Sequence, residues 1–170
     1  MPDKNTLKSS AMFHGVSDKD LDLLVPMCSS EVAEEGATIL TQGEPARDLY
    51  LVDEGRVGLH MTLKRLDGSG TGETGVASMA PPQAFGWFAL IPPFVSTLSA
   101  TAVELCQLIA LDSLALRELL GQQRYMGYLV MKNVAGLVAG RLAESREALV
   151  YHRSYEEYLQ RQSKGPKAKE

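Results

Sequence analysis

Residues Gly43–Leu59 read GEPARDLYLVDEGRVGL, and this stretch decides the fold. It holds the four-residue apolar run Leu49-Tyr50-Leu51-Val52 between two glycine-bearing turns, Gly43-Glu44-Pro45 and Asp53-Glu54-Gly55. Glycine permits the positive φ that tight turns between strands demand. Beyond Gly55, Val57, Leu59, Met61 and Leu63 are apolar, while Gly58, His60 and Thr62 between them are not. That alternation describes a half-buried strand.

Working outward, turn signals recur at Gly36 and at Asp67-Gly68-Ser69-Gly70. Short strands with regular turns over Glu31–Leu111 predict an all-β roll or barrel. The segment Leu66–Gly75 carries four glycines. It is expected to be a mobile hairpin tip, with strand-like residues resuming at Val76. No GK[ST] follows it, so it is no phosphate loop.

Helical signals flank the strands. Ser17 precedes Asp18, Asp20, Leu21 and Leu24, which predicts a capped helix ending near Cys28. Asp112 or Ser113 is expected to cap a helix reaching about Leu120. A longer helix is expected from near Arg124 toward Tyr158. Met131, Val134, Val138, Leu142 and Leu149 fall on one stripe of it, with a gap at Ser145. A second copy of the chain is the simplest cover for that stripe, so a homodimer through the long helix is expected. The alternative is that the helix folds back on the roll. Residues 1–11 are polar and are expected to be a disordered N-terminus. The domain is placed at 12–150, and 151–170 are read as the helix end and a basic tail.

Composition narrows the function classes. The chain has 170 residues, 45% of them hydrophobic and 22% charged, with a formal net charge of -4. Such a balance belongs to a globular domain and argues against a nucleic-acid binder, which displaces counterions with a basic face. The two cysteines, Cys28 and Cys106, form no CxxC pair, so zinc and thioredoxin-type chemistry lack their spacing. Both are read as buried thiols in a reducing, cytoplasmic setting. The N-terminal residues lack a signal-peptide core. The longest apolar run, Ala84–Val95, is too short to span a membrane and contains prolines. His14, His60 and His152 sit in three separate elements, so no metal site is expected. No GxSxG or HExxH pattern marks a nucleophile or a metallohydrolase. The expectation is a non-enzymatic protein with no catalytic residues.

Gly43, Asp48, Leu49-Tyr50-Leu51-Val52, Gly55 and Val57 together resemble the strand-turn pattern of cyclic-nucleotide-binding domains of the catabolite activator protein type. The likeness runs from the Phe13-Gly15-Val16-Ser17 entry to the two C-terminal helices, over about residues 12–150. It implies a mainly β fold with flanking helices. That fold is a double-stranded β-helix or jelly-roll β-roll, followed by a short helix and a long C-terminal helix that often dimerises. Relatives that read DNA add a helix-turn-helix after that helix; here about a dozen residues follow Tyr158, and no DNA partner is expected.

In the resembled family the binding cassette reads Phe-Gly-Glu, a turn ending in Ala-Leu, a loop, then Arg-Ser/Thr-Ala. This chain offers Phe85, Gly86, Trp87, Phe88, Ala89 and Leu90, the loop Ile91–Val95, then Ser96, Thr97 and Leu98. Trp87 stands where the resemblance puts the glutamate that accepts from the ribose. Ser96 stands near the place of the arginine that neutralises the cyclic phosphate. Loss of one such buried partner costs about 2–5 kcal/mol, and about 1.4 kcal/mol is already tenfold. The cassette is thus expected to bind cyclic AMP or cyclic GMP weakly or not at all. The turn's backbone N–H groups and the Thr97 hydroxyl are what remain to meet an anion. Three outcomes stay open: Trp87 fills the old pocket, the pocket takes an apolar or aromatic effector, or a cyclic nucleotide binds through altered contacts. The function read from this is a regulatory sensor-type module. The alternative is a ligand-free dimeric module that docks a protein partner.

Overall fold

A computed structural model describes residues 4–65 and 68–163. Among the described residues the strands form two antiparallel four-stranded sheets, in the orders β1-β8-β3-β6 and β2-β7-β4-β5. The strands of the first sheet are β1 (Cys28–Ala33), β3 (Asp48–Glu54), β6 (Ala84–Phe85) and β8 (Cys106–Asp112). Those of the second are β2 (Thr38–Leu40), β4 (Val57–Lys64), β5 (Thr71–Met79) and β7 (Ser99–Ala102). Together with helices before and after, this is the β-roll expected from the sequence.

The core lies between the sheets. Tyr50 and Val52 of β3, Val57 and Leu59 of β4, Phe85, Ala100, Cys106 and Leu108 form one buried cluster. Leu49 and Leu51 are also fully buried, so β3 is covered on both faces. That explains why its sequence is a continuous apolar run instead of an alternation. In β4 the alternation fades along the strand: Val57 and Leu59 are buried, Met61 is half-buried, and Leu63 is 50% exposed. The β4–β5 hairpin therefore runs past the interior it starts in.

The hairpin is shorter-looped than the glycines suggest. β5 begins at Thr71, not Val76, and Gly72 and Gly75 lie within paired strand. The backbone ladder with β4 absorbs them, and the Arg65 side chain packs over Gly72. The register shifts between Leu59 and His60, leaving Val76 as an extra, exposed residue, a β-bulge. β5 is paired on one side only and is the long edge of its sheet.

Helix α1 (Lys4–Ser9) occupies residues expected to be disordered. A helix with one apolar residue has no periodicity to read. It is held by tertiary contacts: Leu7 is fully buried, Lys4 pairs with Asp22, Lys8 with Asp18, and the Thr6 hydroxyl donates to the Asp53 carboxylate. Helix α2 (Asp18–Leu24) is capped by Ser17, whose hydroxyl accepts from the Asp20 N–H at 3.1 Å and donates to the Asp20 carboxylate at 2.8 Å. Helix α3 (Ser113–Gln122) is capped by Asp112, which accepts from the Ala115 N–H at 2.7 Å. Helix α4 (Arg124–Ser163) follows almost at once. Its start is tied down by the Asn133 amide, which donates to the carbonyls of Met12 (3.0 Å) and His14 (2.9 Å).

Residues up to Val134 form one compact unit, and α4 from Ala135 onward is a second. The residues of the tail beyond Ser163 lie outside the described residues. Cys106 is buried and Cys28 half-buried, both as free thiols. Burial pushes the Cys28 thiol up to about 11, which keeps it protonated and unreactive near neutral pH. Among the described residues no helix is long and apolar enough to cross a membrane, and no cluster of His, Cys, Asp or Glu could hold a metal ion.

Candidate functional site

The cassette hangs from β3. Tyr50 pairs with Phe85 and Leu51 with Ala84, and the rings of Tyr50 and Phe85 stack at 5.3 Å. The chain then turns sharply at Gly86, whose φ is 80°. A Cβ there would stand 3.2 Å from the Asp48 carbonyl oxygen, so both the backbone angle and the space call for glycine. A 3₁₀ turn follows over Trp87–Leu90, with the Ala89 N–H closing on the Gly86 carbonyl at 3.0 Å. That amide is thereby spent within the turn.

The loop after it doubles back along the opening motif. The Ala46 N–H donates to the Phe94 carbonyl (2.8 Å), the Ser96 N–H to Glu44 (2.9 Å), and the Gly43 N–H to Ser96 (2.8 Å). Residues about fifty apart in sequence thus share one short ladder. Phe94 has a φ of 61°, a left-handed angle that a bulky side chain seldom adopts. Its ring is held by the Arg117 guanidinium, 4.0 Å from the ring centroid. Arg117 also donates to the Ala89 carbonyl at 2.7 Å. Helix α3 therefore clasps both the turn and the loop through one side chain.

The structure brings the nine sequence-predicted residues together without pointing them all at one space. Phe85 belongs to the core cluster and Leu98 packs against it. Gly86, Trp87, Ala89 and Leu90 are buried in the turn, and Phe88 is half-buried. Trp87 is 8% exposed, its ring 5.9 Å from that of Phe88. Ser96 is buried and its hydroxyl donates to the Leu98 carbonyl at 2.6 Å. Thr97, the hydroxyl expected to remain available, is exposed.

A cavity of about 320 Å³ opens beside this ladder, between Leu40, Glu44, Arg47, Asp48, Tyr50 and Ser96. Of the predicted residues, Ser96 alone contributes a wall. The polar walls carry both signs. Burial first, and then the Asp112 carboxylate, push Asp48 above the ordinary carboxylate range, while Arg47 pulls it back. Burial, then Asp48, likewise raise Glu31. Burial with Glu31 and Asp48 pushes the Tyr50 phenol up to about 12. Carboxylates thus crowd the one arginine in the cavity wall, an arrangement that opposes a second negative charge. Among the described residues that line this cavity, no nucleophile is paired with a base.

Sequence reasoning missed Arg47 and Asp48 as cavity residues although both lie inside the opening motif. The signal available was their place at the mouth of a strand whose next residues are all buried. Arg117 left no such signal, because its partner is a backbone carbonyl on a distant turn.

A profile of the cyclic nucleotide-binding domain matches residues 30–123. The chain is 34% identical over 142 residues to the cyclic AMP receptor protein of Thermus thermophilus, covering 82% of this chain and 60% of that one. The chain thus spans about three-fifths of that relative's length. A crystal structure of the Thermus thermophilus catabolite activator protein superposes with a TM-score of 0.67 at 31% identity, over 84% of this chain and 63% of that one. A Geobacter metallireducens protein described as cyclic nucleotide-binding gives a TM-score of 0.70 at 27% identity, over 84% of this chain and 99% of that one. The matched span includes the motif around Gly43, the cassette turn and the whole of α3, so the chain belongs to the cyclic nucleotide-binding domain family.

Proposed function

We propose that this chain is a non-enzymatic, sensor-type regulatory module whose cassette has lost most of its affinity for cyclic nucleotides. One observation carries the reading: where the family's pattern has a glutamate this chain has a buried indole, and near the place of its arginine a buried hydroxyl already bonded to Leu98. Neither can replace a directional, charged contact to ribose or phosphate. Glu44 and Asp48 beside the cavity work against an anion as well. Calorimetric titration with cyclic AMP and cyclic GMP is expected to give dissociation constants of about a millimolar or weaker, since two lost partners each cost at least about 2 kcal/mol. Emission from Trp87, the single tryptophan, should stay unchanged over the same range. A micromolar constant with either nucleotide, with a change in Trp87 emission, would sink this reading in favour of binding through altered contacts.

A second reading has its own support. Helix α4 leaves Val138, Leu142 and Leu149 exposed, at 41%, 50% and 68%, on the stripe that a partner helix would cover. In this reading the module works by dimerising or docking another protein and needs no ligand. Absence of any thermal stabilisation across nucleotides and hydrophobic acids, together with a stable dimer, would favour it.

A further inference from the structure

A second cavity, of about 370 Å³, opens at the elbow between α3 and α4. Its apolar back is Leu90 of the cassette turn and Leu120 of α3, both almost fully buried. Gly121 and Gly127 supply walls without side chains. The charged residues in its walls are Arg117 and Arg124, with no carboxylate among them.

Among the described residues neither arginine is in an ion pair. Arg117 spends one N–H on the Ala89 carbonyl and lays its face on Phe94. Both partners are neutral, and a guanidinium has five N–H donors. Neither Arg117 nor Arg124 takes part in the ion pairs Lys4–Asp22, Lys8–Asp18, His60–Glu73 or Arg141–Glu144. Arg124 is also the first residue of α4, whose first turn contains no acidic residue. The last residue of α3 lies two positions before it, so Arg124 stands between the negative end of one helix and the positive end of the next. Two guanidiniums, with no carboxylate beside them in the lining, meet over an apolar hollow of ligand size.

We infer that the α3–α4 elbow binds a small organic anion with an apolar body, of the aromatic carboxylate class, at a site separate from the cassette cavity. The carboxylate would take the planar, paired N–H donors of the arginines, and the ring would lie against Leu90 and Leu120. The inference does not depend on whether the cassette binds a nucleotide.

The test is a titration of the full chain with naphthoate, read by calorimetry and by the amide NMR signals of Gly121 and Gly127. Naphthalenemethanol and inorganic phosphate are the controls. Saturable binding of naphthoate is expected, with both controls at least about tenfold weaker, the worth of a charge-assisted hydrogen bond or of the buried ring. Arg124→Glu, at an exposed position, should weaken naphthoate by at least about tenfold while leaving the melting temperature near wild type. Gly121→Phe should abolish binding, because a Cβ there meets nothing within 4 Å and the ring fills the hollow without strain. Circular dichroism checks that both variants fold. Equal affinity for the alcohol, unchanged affinity in Arg124→Glu, or shifts centred on Tyr50 and Ser96 would each overturn the proposal. So would protection of Gly121 and Gly127 that appears only in a dimer, since a second copy would then be the occupant.

Discussion

Two glycines of one motif serve different ends, and only a three-dimensional view separates them. Both Gly43 and Gly55 have left-handed φ, 87° and 85°, as turn chemistry in the sequence led one to expect. Around Gly43 a Cβ would meet open space, whereas at Gly55 it would stand 2.5 Å from the Leu105 carbonyl oxygen. The obstacle belongs to a segment fifty residues later, beyond the reach of local pattern. Gly55→Ala is therefore expected to cost more than the roughly 1 kcal/mol that a left-handed angle alone imposes. At about 2–4 °C per kcal/mol for a chain of this size, calorimetry should show a Tm drop of roughly 5 °C or more. Gly43→Ala should lose about half of that or less. Asp48 makes a prediction of a different kind. Its pKa is raised in the fold, chiefly by burial and then by Asp112. The folded chain therefore takes up a proton more readily than the unfolded one, whose carboxylate titrates near ~3.9. The stabilisation from that proton is complete below the unfolded value and is lost as pH rises through the folded one. Asp48→Asn is expected to raise Tm at neutral pH and to show a smaller gain than wild type on acidification to about pH 4.5. Thermal melts of both proteins across that range decide it: carboxylates not coupled to Asp48, such as Asp18 with its lowered pKa, cancel in the difference, while Glu31, which Asp48 helps to raise, shifts in the same direction.

At the level of elements, legibility followed the number of independent signals each segment carried. Helix α3 had a cap at Asp112 and emerged close to where expected; helix α2 had Ser17 and Asp20 and began where expected, but its α-helical turns end at Leu24 and a 3₁₀ turn over Val25–Met27 carries the chain on toward Cys28. Helix α1 carried one leucine among polar residues, and its order comes from Asp18, Asp22 and Asp53, which belong to other segments. Interactions of that type are invisible to a reading along the chain. The cassette was legible as a turn from Phe85-Gly86 but not as a cavity wall, since facing depends on how the 94–96 loop lies against Glu44 and Ala46. Helix α3 offers a test at its own scale. Asp112 caps it, yet the same carboxylate raises the pKa of Asp48. Removing the cap with Asp112→Ala should cost about 1 kcal/mol by chemical denaturation. Asp112→Asn keeps an acceptor oxygen for the Ala115 N–H and deletes the like charge. It is expected to be at least as stable as wild type at neutral pH, with the two variants differing by about the full cap energy.

For the molecule as a whole, the β-roll was readable because turn glycines, alternation in β4 and the apolar run of β3 all pointed one way. Assembly is a separate matter. The exposed side chains on α4 recur at Met131, Val138, Leu142 and Leu149, a heptad-like seam with Ser145 in its gap. Light scattering at micromolar concentration is expected to return twice the chain mass, and Leu142→Glu to return the chain mass with the roll's thermal transition retained. A monomeric wild type would remove the dimer from the proposed function. The sheet borders carry another consequence. β6 is two residues long and β2 three, too short to recruit a foreign strand; β1 has six, and β5 is the longest border, nine residues with one side unpaired. Its defences are the bulge at Val76 and the negative charge of exposed Glu73. In a concentrated preparation the shelf life of this protein is expected to be set by β5: precipitation should begin by strand-to-strand stacking along that border, while the two cavities stay intact.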